Sequence, residues 1–211
     1  MLVGQRHLQR GDTLIEVLFA VTVFSMIVVG SLALMNQGVS TSRRALETTI
    51  SRQAMDGQAE ALRFMHESYV SEYQSGAIYN TTDATTSPAE EYYKIIQNAK
   101  AVPKTSASTL TVASCPATVP NGSFIVDPVS ARFVGATAQL RPADVYPQLE
   151  YNAAGAFTAS RGLWVEAVRS TTVTSGNAGY IDFHIRACWS SLGSKAPTTL
   201  GTIVRLYEPR G

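Results

Sequence analysis

Residues 12–35 read DTLIEVLFAVTVFSMIVVGSLALM and form a nearly unbroken apolar stretch near the start of a chain of 211 residues. Within it, residues 17–35 carry no formally charged side chain. As an α-helix these residues would be about 28 Å long, close to the roughly 30 Å hydrocarbon core of a bilayer. The stretch therefore predicts one transmembrane helix at residues 12–35.

The segment before this stretch, residues 1–11, reads MLVGQRHLQRG and contains Arg6 and Arg10 but no acidic residue. Basic flanks of this kind remain on the cytoplasmic side, so the rest of the chain is expected outside. A secretory signal has a shorter apolar core, followed by its cleavage site. Here Gly11 precedes the apolar stretch, so a cut after it would leave the helix in the mature protein. An uncleaved signal anchor is the alternative.

Glu16 stands at the start of the apolar helix, where a carboxylate is costly. The cost is roughly 2.5–3.5 kcal/mol at the bilayer centre and less near its edge, so such a residue usually has a partner. The string GDTLIEV at residues 11–17 is similar to the processing site of type IV prepilins, in which a glycine precedes the cut and a glutamate is the fifth mature residue. Counted from Asp12, Glu16 is the fifth residue. The basic leader and the apolar stretch complete this resemblance.

The resemblance implies a processing site and an assembly site. A prepilin peptidase would cut between Gly11 and Asp12, and the same enzyme would methylate the new amino group of Asp12. Glu16 would pair with the terminal amine of a neighbouring subunit, because two opposite charges buried together cost far less than one alone. The chain departs from the family pattern at Asp12, where most members have Phe, and in having no proline before Pro88.

The function implied is that of a minor type IV pilin-like structural subunit. It would sit in the cytoplasmic membrane with its C-terminal domain outside, and then enter a cell-surface filament for adhesion, twitching or DNA uptake. Its partners would be other pilin subunits, the prepilin peptidase and the pilus assembly platform. Two alternatives stay open: a type II secretion pseudopilin, and a signal-anchored extracellular protein that binds a ligand without forming filaments.

Residues 36–69 are expected to continue the same helix as its amphipathic outer half. Apolar or small residues recur there at spacings of three, four and seven, which predicts one stripe facing the domain. The remaining face would be solvated, with Arg43–Glu47 and Arg52–Asp56 spaced for ion pairs. The stripe comprises Val39, Leu46, Ile50, Ala54, Gly57, Ala61 and Met65.

The rest of the chain predicts a connecting loop at residues 70–104, with a short helix at 89–100, and a β-rich extracellular domain at residues 105–211. Residues 180–187 alternate apolar and polar side chains, as in a half-buried strand. We therefore expect an α+β fold, in which the long N-terminal helix packs on a C-terminal antiparallel β-sheet, as in pilins. Strands are predicted at residues 108–113, 123–126, 131–134, 162–169, 180–187 and 202–207.

The two cysteines, Cys115 and Cys188, can form one disulfide and leave no thiol over. Neither belongs to a C-x-x-C pair, so thiol redox chemistry and a cysteine-rich zinc site are poorly supported. Two buried thiols would be expected in the cytosol, whereas export favours the disulfide. Because the N-terminus predicts export, we expect the disulfide.

Catalysis, cofactors and nucleic-acid binding have little support in the sequence. The chain has 17 Lys and Arg against 16 Asp and Glu, and it has three histidines, of which His66 and His184 lie outside the leader. Common catalytic, metal and phosphate-binding motifs do not occur in it. Lys94, Lys100 and Lys104 form one modest basic cluster, which a solvated loop explains equally well. We predict a structural protein without enzyme activity, cofactor or metal.

Overall fold

A computed structural model describes residues 12–75, 87–101, 115–116, 120, 122–135, 140–141, 143–170, 179–191, 194 and 196–209. The fold is α+β, as predicted, and the chain divides into two compact units, Met1–Ala45 and Leu46–Gly211. In chain order the helices are α1 (Asp12–Gln74) and α2 (Pro88–Ala101). The strands are β1 (Phe124–Asp127), β2 (Arg132–Gly135), β3 (Leu140–Arg141), β4 (Gln148–Tyr151), β5 (Phe157–Arg161), β6 (Leu163–Arg169), β7 (Tyr180–Trp189) and β8 (Thr198–Tyr207).

Helix α1 is 63 residues long and ends five residues later than the predicted end at Tyr69. Residues 70–74, predicted as loop, are helical because aromatic side chains hold this last turn against α2. The ring of Tyr69 lies 5.4 Å from that of Tyr92 and 6.0 Å from that of Tyr73. We call residues 46–74 of α1 the outer helix.

Helix α2 confirms the predicted short helix, and its first turn shows why it begins where it does. Pro88 is the first helical residue, a position where its missing N–H costs nothing. The Ser87 hydroxyl accepts a hydrogen bond from the Glu90 amide at 3.3 Å, and the Glu90 carboxylate accepts one from the Ser87 amide at 2.9 Å. This reciprocal pair is a capping box.

Five strands form an antiparallel sheet in the order β2-β1-β6-β7-β8. Five of the six predicted strands are found in it, and the sixth, at residues 108–113, lies outside the described residues. Strand β8 begins at Thr198, four residues earlier than predicted. A second sheet, β3-β5-β4, was not predicted, because its strands are short and only partly buried.

The core lies between the outer helix, α2 and one face of the five-stranded sheet. The alternation predicted for residues 180–187 is confirmed, since the apolar residues of β7 face this core while their neighbours are half-buried. The outer helix contributes Met55, Leu62, Met65 and Tyr69, each no more than 7% exposed. The sheet contributes Phe124, Val126, Val165, Ile181, Phe183 and Ile185.

The predicted stripe on the outer helix is only partly correct. Ala61 and Met65 are buried, but Leu46 is 59% exposed, and the positions buried with Met65 include Glu47, Ser51 and Gln58. At 100° per residue the buried face is rotated by about a quarter turn from the predicted stripe. Glu47 and Gln58 occupy it because the sheet offers them hydrogen-bond partners, whereas the Ser51 hydroxyl donates to the Glu47 carbonyl of the same helix.

Candidate functional site

The N-terminal unit presents an apolar helical surface. The large apolar side chains between Leu14 and Met35 are 39–79% exposed in this chain. By length and composition this part of α1 can cross a membrane or serve as a signal anchor. So much exposed apolar surface on one helix is stable only against lipid or other protein.

Two hydroxyl groups inside the apolar segment, those of Thr22 and Ser25, are satisfied by the helix itself. Thr22 donates to the Phe19 carbonyl at 2.8 Å, and Ser25 donates to the Val21 carbonyl at 2.7 Å. Such bonds lower the cost of a hydroxyl in lipid, where no water replaces them. These polar residues therefore do not argue against burial of the segment.

The residues predicted for processing and assembly belong to this unit. Gly11 lies outside the described residues, and Asp12 is the first residue of α1. Glu16 follows one turn later and is exposed. A carboxylate at this position is accessible to a partner from outside the chain.

The two predicted cysteines belong to the second unit and form the expected disulfide, with 5.6 Å between their Cα atoms. Cys188 is 1% exposed near the end of β7. Gly162 packs directly beside it, because a Cβ at that position would lie 2.3 Å from the Cys188 carbonyl oxygen. The Cys188 amide donates to the Gly162 carbonyl at 2.8 Å, so the disulfide is attached to a closely packed corner of the sheet.

Glu47 ties the first turn of the outer helix to the same corner. Its carboxylate accepts hydrogen bonds from the Trp189 indole at 3.2 Å and from the Ser191 hydroxyl at 2.6 Å. Glu47 is 8% exposed, whereas the sequence predicts it on the solvated face beside Arg43. Helical spacing could not reveal this role, because the donors lie more than 140 residues away in the chain.

Gln58 forms a second polar tie between the outer helix and the sheet. Its amide donates to the Val126 carbonyl at 2.7 Å and accepts from the Val126 amide at 2.9 Å. The side chain is fully buried, so it takes the place of a neighbouring strand for one residue of β1.

Gln58→Leu is expected to destabilise the protein by about 2–4 kcal/mol, because the Val126 amide and carbonyl would both lose their partner inside the core. Chemical denaturation of the full chain in detergent, followed by tryptophan fluorescence, measures this loss. Gln53→Leu is the control, since Gln53 is exposed on the same helix. Equal stabilities of the two variants would contradict the role given to Gln58.

Charged residues follow the face of the sheet that points away from the outer helix. Asp182 accepts two hydrogen bonds from Arg205, at 2.7 and 2.8 Å, and these lower the pKa of its carboxyl although burial opposes the shift. The Arg205 guanidinium also lies 4.0 Å from the centre of the Tyr180 ring. Burial and the nearby Arg186 lower the pKa of His184.

The lowered pKa of Asp182 predicts a dependence of stability on acid pH. The ionised carboxylate stabilises the fold above its unfolded pKa of about 3.9, and this contribution is lost as pH falls through the lower folded pKa. Asp182→Asn should therefore be less stable than wild type at neutral pH and lose less stability between about pH 4 and pH 2. Thermal unfolding across this range measures the difference, with the exposed Asp144→Asn as control. Plots of melting temperature against pH that run parallel for wild type and Asp182→Asn would contradict this prediction.

The two histidines outside the leader, His66 and His184, each lie beside other residues of the chain. The ring Nε2 of His66 lies 2.7 Å from the Tyr207 carbonyl oxygen, and the ring stacks edge-on against Tyr92 at 5.3 Å. His184 lies opposite Glu166 on β6. In the part of the chain that the structure describes, no three His, Cys, Asp or Glu side chains are grouped to hold a metal ion.

A polar groove of about 460 Å³ lies between α2, the β1–β2 turn and the β4–β5 hairpin. Its charged groups already bond within the chain. Lys94 pairs with Glu91 at 2.7 Å, and Glu91 also accepts from the Phe133 amide. Tyr151 donates to Asp127 at 3.0 Å; burial and this hydrogen bond raise the pKa of Tyr151 to about 12. The charged groups of this groove therefore stabilise the fold through bonds within the chain.

The described elements define an α+β protein with an exposed apolar N-terminal helix. Comparisons of the chain with protein-family models, with curated proteins and with solved structures give no match.

Proposed function

We propose that this protein is a minor type IV pilin-like structural subunit. A prepilin peptidase cuts it between Gly11 and Asp12, and the mature chain enters an envelope filament through its apolar helix. The observation that carries the proposal is the GDTLIEV string at residues 11–17 directly before an apolar helix that its own chain leaves exposed. A soluble domain would have no use for such a surface.

The proposal assigns one task to each part of the chain. The apolar helix anchors the precursor in the cytoplasmic membrane and later packs against other subunits, while Glu16 neutralises the terminal amine of a neighbour. The second unit lies outside the membrane, where the Cys115–Cys188 disulfide is stable. This role requires no catalysis and no cofactor.

N-terminal peptide analysis tests the proposal directly. Protein from cells with prepilin peptidase should begin at Asp12, and protein from cells without it should begin at Met1. Gly11→Val should remove processing because it alters the residue before the cut, whereas Gly4→Val in the same leader should be processed normally. A start at Met1 in both strains would replace the proposal with a signal-anchored extracellular protein.

A further inference from the structure

A shallow, largely apolar groove of about 500 Å³ lies along the outer helix, within the second unit. One wall is the helix itself, at Gly57, Ala61 and Phe64, and the other includes Pro128 and Val129 of the β1–β2 turn. Phe64 is 54% exposed and Val129 is 74% exposed. A Cβ added at Gly57 would meet no atom within 4 Å, so this part of the helix is open to a neighbour.

The wall formed by the turn is held in place before any partner arrives. Asp127 accepts hydrogen bonds from the Val129 amide at 3.1 Å and from the Ser130 hydroxyl. Tyr151 donates to the same carboxylate at 3.0 Å. Because the turn is fixed by these bonds, docking in the groove would not have to order it.

Residues 39–46 of the same chain form an exposed helical segment with the same residue spacing as the helical wall of the groove. Val39, Arg43 and Leu46 occur at spacings of four and three, so they share one face of the helix over about two turns. All three are exposed, Val39 by 47% and Leu46 by 59%. Gly57, Ala61 and Phe64 repeat the same spacing 18 residues later, which is five helical turns.

We propose that this groove receives residues 39–46 of a second copy of the chain, displaced along the helix axis by five turns, or about 27 Å. This inference rests on the proposed filament function, because two copies anchored in one flat membrane lie at the same depth and only an assembly that lifts subunits out of the membrane displaces them. It also requires that copies of this subunit lie next to each other in the filament. The displacement places Val39 against the open Gly57 and Leu46 against Phe64.

Charge favours the displaced arrangement over pairing at equal depth. At equal depth Arg43 would face Arg43, and Glu60 would face Glu60, so like charges would meet on the shared face. After a displacement of five turns Arg43 comes beside Ala61 and can reach Glu60, whose side chain is 72% exposed even while it pairs with Arg63. The groove therefore attracts the basic segment of another copy and disfavours a symmetric pair.

Disulfide trapping in cells tests this contact. Two differently tagged full-length copies are expressed together, one with Leu46→Cys and the other with Phe64→Cys, and sheared filaments are oxidised. The two native cysteines are already bonded to each other, so the new thiols are the only ones available. We expect a link between positions 46 and 64. Arg52→Cys in place of Phe64→Cys is the control, since Arg52 is exposed on the same helix but 12 residues away. It should give at least about fivefold less product, because a disulfide needs Cα atoms within about 7 Å.

A charge exchange tests the partner residues. Arg43→Glu in the copy carrying Leu46→Cys should lower the yield about threefold, the size expected for one exposed ion pair. Glu60→Arg in the other copy should restore it, whereas Arg52→Glu should leave the wild-type yield unchanged.

Three results would overturn the contact, and they can be told apart. Filaments whose subunits begin at Asp12 but give no link between positions 46 and 64 would refute the docking alone. Subunits that retain Met1 and give no link would refute the docking together with the filament function. Links from position 64 that reach only other proteins, as identified by mass spectrometry, would refute a second copy as the occupant.

Discussion

Glu16→Ala should be processed normally and yet be nearly absent from filaments. The variant removes the carboxylate that would neutralise the terminal amine of a neighbouring subunit inside an apolar assembly. Breaking a buried charge pair from one side costs about 3–5 kcal/mol, so incorporation should fall by about a hundredfold or more. The proposed cut between Gly11 and Asp12 would be made in the monomer, so the variant should not affect it.

Quantitative immunoblotting of sheared filaments against total membrane protein measures this incorporation, and peptide analysis measures processing in the same samples. Glu67→Ala is the matched control, because Glu67 is an exposed glutamate on the same helix in the second unit. Glu16→Ala present in filaments at the wild-type level would show that this carboxylate has no role in assembly.

Loss of the disulfide is the second large effect that we expect. In the chain-entropy model a bond between residues 73 positions apart contributes about 4 kcal/mol to the free energy of unfolding. The variant carrying Cys115→Ala and Cys188→Ala should therefore unfold about 8–16 °C below wild type in a thermal scan. Alanine is chosen because a serine hydroxyl at the buried Cys188 would add a separate penalty.

Treatment with a thiol-reducing agent supplies the control for this prediction. Reduction should lower the melting temperature of wild type to near that of the double variant and leave the double variant unchanged. A double variant as stable as the oxidised wild type would mean that the bond constrains little of the unfolded chain.

Local patterns predicted the elements whose determinants lie close together in sequence. Pro88 and the acidic residues Glu90 and Glu91 indicate the start of α2, and the alternation at residues 180–187 identifies β7. Asp12 to Gln74 forms a helix because no proline interrupts it. In each case the physical signal lies within the element itself.

The orientation of the outer helix could not be predicted in the same way. Its apolar period suggested a stripe through Leu46 and Gly57, but the sheet binds the neighbouring face, through Glu47 and Gln58. These two side chains are buried because their partners, Ser191 and Val126, are supplied by distant parts of the chain. The short strands β3, β4 and β5 were missed for a related reason: their pairing with one another, rather than any sequence period, defines them.

The polar contact of Glu47 has a mechanical consequence. The apolar N-terminal unit is joined to the second unit by one covalent connection, at residues 45 and 46. A pulling force carried along the chain enters the second unit at the first turn of the outer helix, where the Trp189 indole and the Ser191 hydroxyl donate hydrogen bonds to Glu47. Trp189 directly follows Cys188, so the covalent crosslink to Cys115 lies next to the point of loading. Tension would thus act first on a part of the sheet that is held by these hydrogen bonds and by the disulfide, before it could separate the outer helix from the core.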